Sequence, residues 1–449
     1  MRVVALVLAA MLMAAGEALA QGANEGCDIV PGRTTDVRGY GPTTYVSGTT
    51  EFYCAGGIYV KADSAFVTDG IRTLIGNVVY RDSTRALTAQ RVVYNATQEH
   101  INAQGQVVFT DRETGSALRS QVLDYWRALP NRPERVILTS GRPNALMVRR
   151  DTATMRVDTT IIDANMMDIT GQDAFRAVGQ VVIRRGTLTT TSQQADYNEA
   201  AGRMILVGQA VVQDSTMNLK GDSIHALLID SEFSQVDAFR DARITSDDMN
   251  VDSDRLRIVL DTGIVQRLIA VGTAEKQAHA KSPQFEVTAD SIDALAPGQK
   301  LDRAIAVGNA FGVRAPDSLD VGLPPEIARD WLRGDTVIAY FEPASDSLIR
   351  ARRAAGDTTT SDRVLERLVA SGTKTPATTL YRTREATDTT NQVSVIYTVA
   401  GRIEVLMKNG QVETVNATDE MKGLYLQPAR QAQGTGVSRP SPADNRQRP

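Results

Sequence analysis

A short motif recurs at least eight times along this chain and constrains its fold more than any other feature. Each copy opens with a small residue followed by Asp, Asn or Gln; about fifteen residues later comes Gly, then Asn or Gln, then an apolar run. The second residue of the opening pair lies at positions 63, 90, 121, 165, 193, 222, 254 and 290. This spacing, with gaps of 27 to 44 residues, predicts stacked β-hairpins whose loops differ in length.

The apolar runs within the motif predict strands, because they are short and rich in Val, Ile, Thr and Tyr. Clear examples are GNVVYRD at residues 76–82 and GQVVFTD at residues 105–111. The recurring Gly permits a bulge or bend where a strand turns a corner. The Asp of the opening pair is predicted to hydrogen-bond backbone at a turn. The motif therefore predicts an all-β antiparallel fold.

One segment, residues 324–334, is predicted to form a short helix. Pro324 and Pro325 come at its start, Glu326 lies in its first turn and Gly334 stands at its C-cap. The chain from residue 427 to 449 is rich in Pro and polar residues and has almost no apolar side chains. We therefore expect a disordered tail there.

The first twenty residues have the pattern of a secretory signal. Arg2 precedes an apolar run that ends in Ala18-Leu19-Ala20, and we expect cleavage after Ala20. No later run approaches 18 apolar residues, so we expect no transmembrane helix in the mature chain. Export leads to an oxidising compartment, where Cys27 and Cys54, in an N-terminal segment of residues 21–56, are predicted to pair. Such a disulfide would stabilise the fold by about 3–4 kcal/mol.

Composition argues against several classes of function. The chain has 49 Lys and Arg against 53 Asp and Glu, a net charge of −4, which gives no reason to expect a nucleic acid partner. His100, His225 and His279 are isolated in the sequence, and with two Cys they form no metal-binding pattern. The sequence also lacks a G-x-S-x-G elbow, an HExxH helix and a P-loop. We therefore expect no metal, no cofactor and no enzymatic activity.

The tandem motif, A-D/Q-x-x-x-Y followed by G-x-V, resembles the OstA-like family over roughly residues 57–428. That family includes a periplasmic lipopolysaccharide-bridge protein and the periplasmic domain of an outer-membrane assembly barrel. The resemblance implies an antiparallel β jelly roll, V-shaped in section, that holds acyl chains in an apolar slot. It implies one or two stacked modules, which we place at residues 57–245 and 246–426.

The resemblance also implies a function and partners. We expect a periplasmic protein, with an association with the outer membrane left open, that shields the acyl chains of lipopolysaccharide or a related amphiphile during transfer to the outer membrane. Other lipopolysaccharide-transport components would join it by edge-strand stacking, and an outer-membrane assembly barrel is a further candidate partner. Strand alternation predicts the side chains that face the slot. They are Val78, Tyr80, Val107, Phe109, Val181, Ile183, Ala210 and Val212.

Three alternatives stay open at this point. The eight side chains could pack a closed core and line no slot. The chain could be a structural or adhesive β-repeat protein of the cell envelope, since it shares the signal and the repeats. It could also be a polysaccharide-active enzyme on a parallel β-helix. The repeat length near thirty residues exceeds a usual β-helix rung, and no cluster of acids with a catalytic Arg, Lys or His stands out.

Overall fold

A computed structural model gives the architecture of most of the chain. It describes residues 27–427 with gaps at 32–35, 55–56, 69, 96, 127, 151–156, 172–173, 230–231, 247–248, 284, 315–323, 325–326, 355–362, 384–392 and 409–410. The predicted signal at residues 1–20 and the predicted tail beyond residue 427 lie outside the described residues.

The described residues form thirty strands. The first ten are β1 (Cys27–Pro31), β2 (Asp36–Tyr40), β3 (Thr43–Cys54), β4 (Ile58–Thr68), β5 (Ile71–Arg81), β6 (Arg85–Asn95), β7 (His100–Asp111), β8 (Ala117–Trp126), β9 (Arg135–Thr139) and β10 (Asn144–Arg150). The next ten are β11 (Val157–Asp163), β12 (Met166–Thr170), β13 (Ala174–Arg185), β14 (Leu188–Asn198), β15 (Arg203–Gln213), β16 (Met217–Ile229), β17 (Glu232–Ser246), β18 (Asn250–Asp261), β19 (Ile264–Val271) and β20 (Ala278–Lys281). The last ten are β21 (Phe285–Ala289), β22 (Ser291–Leu295), β23 (Arg303–Arg314), β24 (Trp331–Pro343), β25 (Arg363–Ser371), β26 (Ala377–Thr383), β27 (Ser394–Ala400), β28 (Arg402–Lys408), β29 (Gln411–Thr418) and β30 (Lys422–Leu426).

These strands belong to one antiparallel sheet in which most strands pair with the next along the chain. The predicted all-β antiparallel fold is therefore confirmed. Pairing continues from β17 to β18, for example between Thr245 and Asn250, where we placed the boundary between two modules. That division stays a prediction.

The long strands are bent near their middle. β5 pairs with β6 through residues 71–75 and again through residues 78–81, while Gly76 and Asn77 drop out of the ladder. Both residues have positive φ, 79° and 45°, a conformation that costs Gly little. The same two-residue corner recurs at Gly105-Gln106, Gly179-Gln180, Gly208-Gln209 and Gly308-Asn309. The bend predicted from the recurring Gly is therefore confirmed.

The corners divide the sheet into two halves, which we call half-sheet A and half-sheet B. Residues 78–81 of β5 and 85–89 of β6 belong to half-sheet A, whereas residues 71–75 and 91–95 of the same strands belong to half-sheet B. Apolar side chains from both halves join one continuous buried cluster. The two half-sheets therefore face each other across a shared interior that is closed along the line of corners.

In six of the eight motif copies, the second residue of the opening pair packs against a Gly of a later strand or turn. A Cβ on Gly76 would clash with the carboxylate of Asp63, and a Cβ on Gly308 would clash with that of Asp290. Asn77 Nδ2 also donates a hydrogen bond to Asp63 Oδ2 at 2.8 Å. Asp63 lies in the middle of β4, so its predicted role at a turn is wrong. The separation of Asp63 and Gly76 along the sequence is therefore set by their contact across the β4–β5 ladder at the bend.

The predicted helix over residues 324–334 is wrong where the structure describes its C-terminal part. Residues from Trp331 onward form β24, and Leu332 pairs with Gly312 of β23. The alternating apolar pattern that begins at Trp331 outweighs the helix-start signals before it. The helix of the described residues is α1 (Asp346–Ala354), and a single 3-10 turn spans Pro297–Gln299.

The two cysteines occupy opposed positions in the N-terminal strands. Cys27 of β1 and Cys54 of β3 are direct antiparallel partners. Opposed Cα atoms in such ladders lie about 4.5–5.5 Å apart, a separation that a disulfide spans. The bond itself stays a prediction.

Candidate functional site

An unbroken row of apolar side chains, which we call the first inner row, crosses half-sheet B from β4 to β29. Each member is the direct cross-strand partner of the next. The first inner row consists of Ala65, Leu74, Val92, Ala103, Leu123, Leu138, Met167, Ala177, Ala195, Leu206, Ile224, Ala238, Leu256, Ala270, Ile292, Ala306, Val337, Ala370, Ile403 and Ala417. At a strand spacing of about 4.8 Å, this row is about 90 Å long.

A second inner row runs parallel to the first, two residues further from the corners. We call the edge of the interior on this side the mouth. The row consists of Val67, Arg72, Tyr94, Ile101, Tyr125, Val136, Ile169, Phe175, Tyr197, Met204, Ala226, Val236, Ile258, Leu268, Ala294, Ala304, Ala339, Leu368, Val405 and Val415. Arg72 is the one charged member of this row.

Half-sheet A presents a facing row to the same interior. It runs through Val60, Tyr80, Leu87, Phe109, Leu118, Ala145, Ile162, Ile183, Thr190 and Val212. Four of the eight predicted slot residues are members, namely Tyr80, Phe109, Ile183 and Val212. The other four predicted residues lie nearer the corners and are Val78, Val107, Val181 and Ala210.

All eight predicted slot residues belong to the interior or pack against it. Six of them are buried, whereas Phe109 and Val212 are partly exposed. The side chains next to the corners are therefore packed against each other, and the two partly exposed ones lie nearer the mouth. Contact of these residues with a lipid stays a prediction.

The mouth differs between two stretches of the second inner row. Along β6 to β9, Tyr94 and Tyr125 are buried. Along β12 to β15, Ile169, Phe175 and Met204 are only partly buried. The Phe175 ring stacks on Tyr197 with centroids 5.5 Å apart. The interior is therefore accessible to solvent over β12–β15 and closed over β6–β9.

Charged side chains lie inside the closed stretch. Arg85, the first residue of β6, is 1% exposed, and Glu134, just before β9 on the facing half-sheet, is 8% exposed. Burial lowers the pKa of Arg85, although the charges of Asp82 and Glu134 act in the opposite direction. Burial raises the pKa of Glu134, while a hydrogen bond from Tyr125 and the charge of Arg85 counteract part of this rise. Sequence reasoning missed both residues, because each adjoins a polar turn.

The outer faces of the two half-sheets carry ion pairs between neighbouring strands. Arg184 Nη1 lies 2.8 Å from Asp163 Oδ2, and Arg257 Nε lies 2.7 Å from Asp237 Oδ1. A solvent-exposed pair such as Arg184–Asp163 contributes about 0–1 kcal/mol, whereas Asp237 is buried. An open surface pocket of about 360 Å³ is lined largely by outward residues such as Arg176. This pocket therefore lies mainly on the outer face, although Phe175 and Tyr197 of the second inner row also line it.

The histidines are also engaged on strand surfaces. His100 Nε2 lies 2.9 Å from Asp124 Oδ1 and its ring stacks on Trp126, while His279 Nε2 lies 2.9 Å from Glu286 Oε1. Within the described ranges, no three His, Cys, Asp or Glu side chains are grouped so that they could hold a metal ion. No helix in those ranges is long and apolar enough to cross a bilayer.

The chain was also compared with solved structures, family models and curated proteins. The chain is similar to LptH, the LptA-homologous periplasmic component of the lipopolysaccharide transport device from Pseudomonas aeruginosa. The sequence identity is 16% and the TM-score 0.11, over 41% of this chain and 82% of that chain. No family model and no curated protein matches the chain.

Proposed function

We propose that this chain is a periplasmic, non-enzymatic carrier that shields the acyl chains of lipopolysaccharide or a related amphiphile during transfer to the outer membrane. The observation that supports this proposal most strongly is the first inner row, which stays apolar over twenty consecutive strand positions. A lipid that crosses an aqueous gap needs such a continuous surface, because each CH₂ removed from water is worth about 0.8 kcal/mol. An acyl chain of twelve carbons therefore gains about 10 kcal/mol when fully covered.

The accessible stretch over β12–β15 is where we expect the acyl chains to enter. Phe175 and Met204 face the interior there and are only partly buried. Met is flexible and polarizable, so it can repack around an incoming chain at low cost. The rows nearer the corners are packed and would serve as the floor of the groove.

The two ends of the strand order support the proposed stacking with other transport components. β2 has exposed Val37 and Tyr40, and β30 has exposed Leu424 and Tyr425. Apolar side chains on an edge strand favour association with another strand. An additional strand at either end would continue the inner rows across the junction.

Site-specific photocrosslinking in the intact exported protein tests the proposal. A benzophenone side chain at Phe109, Phe175 or Met204 should crosslink to radiolabelled lipopolysaccharide. The matched controls are Arg112, Arg176 and Ile205, which are close neighbours with outward side chains. Crosslinking at the inner positions alone supports the carrier. Equal yields at inner and outer positions, or no yield at any inner position, would overturn it and favour a structural envelope protein.

A further inference from the structure

Arg85 stands out because its guanidinium is fully buried and has no hydrogen-bond partner among the described residues. Its side chain points into the interior, since it shares the facing direction of Leu87 and Ala89 along β6. Its Nε, Nη1 and Nη2 atoms are all inaccessible and bond to no atom among the described residues. A buried charge without an acceptor costs several kcal/mol, so it demands a partner.

Two of the three carboxylates near Arg85 accept hydrogen bonds from other groups. Asp82 Oδ1 accepts hydrogen bonds from two backbone N–H groups of its own turn, each at 2.8 Å, and its Oδ2 accepts from Tyr80. Asp111 Oδ1 accepts from two backbone N–H groups of the next turn. Glu134 Oε1 is itself buried without a partner in the described part of the chain. The guanidinium donors of Arg85 therefore have no partner among the described residues.

A second buried cation lies on β5, next to the closed stretch. Arg72 is 3% exposed, and its Nε and Nη1 are also without partners among the described residues. Its guanidinium carbon lies 5.5 Å from the centre of the Tyr94 ring. Arg72 and Arg85 come from adjacent strands and opposite half-sheets, so both add positive charge to this end of the interior, where Asp82, Asp111 and Glu134 are the nearby acidic groups.

We propose that Arg85 binds an oxyanion, a phosphate or carboxylate head group of an amphiphile, with Arg72 adding positive charge. This inference rests on the proposed function, because the acyl chain of that amphiphile would lie along the inner rows. The planar guanidinium presents donors in a fork that matches two oxygens of such a group. The head group reaches Arg85 when the two half-sheets separate at the closed stretch of the mouth.

The test compares probes that share an acyl chain and differ in charge. Dissociation constants of dodecyl phosphate, dodecyl maltoside and inorganic phosphate are measured on the delipidated full chain by calorimetry. We expect dodecyl phosphate to bind at least about tenfold more tightly than dodecyl maltoside, as one charge-assisted contact implies. Arg85→Met should abolish this preference, and Arg85→Lys should reduce it. Arg91→Met, an exposed arginine on the same strand, should leave it unchanged.

The outcomes separate this inference from the proposed function. If both dodecyl probes bind equally, or if Arg85→Met keeps the preference, the head-group site is wrong while the carrier stands. If inorganic phosphate binds as tightly as dodecyl phosphate and depends on Arg85, the ligand is a free anion and not an amphiphile. If neither dodecyl probe binds, both proposals fail. Should Arg85→Met not fold, Arg85→Lys and Arg72→Met give the same readout.

Discussion

Two buried arginines, one near each end of the strand order, have opposite surroundings. Arg382 of β26 is 5% exposed, and its Nε and backbone N–H both donate to Asp330 Oδ1 at 2.9 Å. Its Nη1 also donates to the carbonyl of Ala328. Arg85 of β6 is also buried, but its guanidinium donates to no described atom. The comparison indicates that Arg382 completes a structural ion pair, whereas Arg85 is available to a ligand.

The positions of the two side chains agree with this distinction. Arg382 shares its strand face with Leu380, which pairs with Trp331 on the outer side of half-sheet A. The chain just before β24 covers this side and contributes Asp330. Arg85 instead faces the interior, where the inner rows supply apolar neighbours. A buried guanidinium without an acceptor does not stabilise the folded state. The presence of Arg85 at this position is therefore consistent with the proposed binding of a ligand.

The largest effect is expected from breaking the paired site. Asp330→Ala leaves the Arg382 guanidinium buried without its carboxylate, which should lower the free energy of unfolding by about 3–5 kcal/mol. Urea titration followed by circular dichroism measures this change. Glu413→Ala, which removes an exposed partner of Lys408, is the control and should cost no more than about 1 kcal/mol. Similar losses in the two variants would contradict the comparison.

Substitution of each arginine by Met should change the stability of the protein in opposite directions. Arg85→Met removes an uncompensated buried charge, so the ligand-free protein should gain about 1–3 kcal/mol of stability. Arg382→Met leaves Asp330 buried and should destabilise the protein. Thermal unfolding of both variants, after delipidation, gives the sign of each change. A clear loss of stability in Arg85→Met would show that Arg85 has a structural partner after all.

The pH dependence of stability should report on Glu134. Burial raises its pKa above the ordinary value of 4.5, so the folded state holds this proton more tightly than the unfolded state. The contribution of Glu134 to stability is then fully present below pH 4.5 and is lost as the pH rises through the raised value. Glu134→Gln should remove this loss, which chemical denaturation at a series of pH values measures. Parallel curves for the two proteins would mean that Glu134 stays ionised.

The smallest effect is expected at Asp335, in the C-terminal region, and has the opposite sign. Its Oδ2 accepts hydrogen bonds from the backbone N–H groups of Thr373 and Lys374, each at 2.6 Å. These bonds hold the pKa of Asp335 far below its usual range. The contribution is present above the ordinary pKa of 3.8 and is lost as the pH falls through the lowered value. Hydrogen exchange at Thr373 and Lys374 should be faster in Asp335→Asn, while the amides near Arg85 should be unaffected.

Much of the fold could be predicted from the sequence because the same strand corner recurs along the chain. The corner at Gly76-Asn77 and its partner Asp63 form a pattern that repeats with small changes, and short Val- and Ile-rich runs mark the strands. The helix was misplaced because Pro324 and Glu326 resemble a helix start, whereas cross-strand pairing of Leu332 decides the structure. The actual helix has its own start signal, since Ser345 Oγ accepts a hydrogen bond from the Leu348 N–H at 3.4 Å.

The candidate site was predictable only in part. Alternation identified the inward direction of residues such as Val78 and Phe109, because each follows a corner whose position the motif marks. It could not identify Arg85, since an arginine after a polar turn is ordinarily solvated. Its inward direction follows from register with Asp111 across the ladder, and register depends on long-range pairing.

The corners also determine how this architecture can grow. Every hairpin has its own bend, so inserting or deleting one whole hairpin keeps the two half-sheets face to face. Each such change alters the span of the molecule by two strand spacings, about 10 Å. Duplication of one motif copy would therefore lengthen the molecule in fixed increments, and the number of copies sets its length.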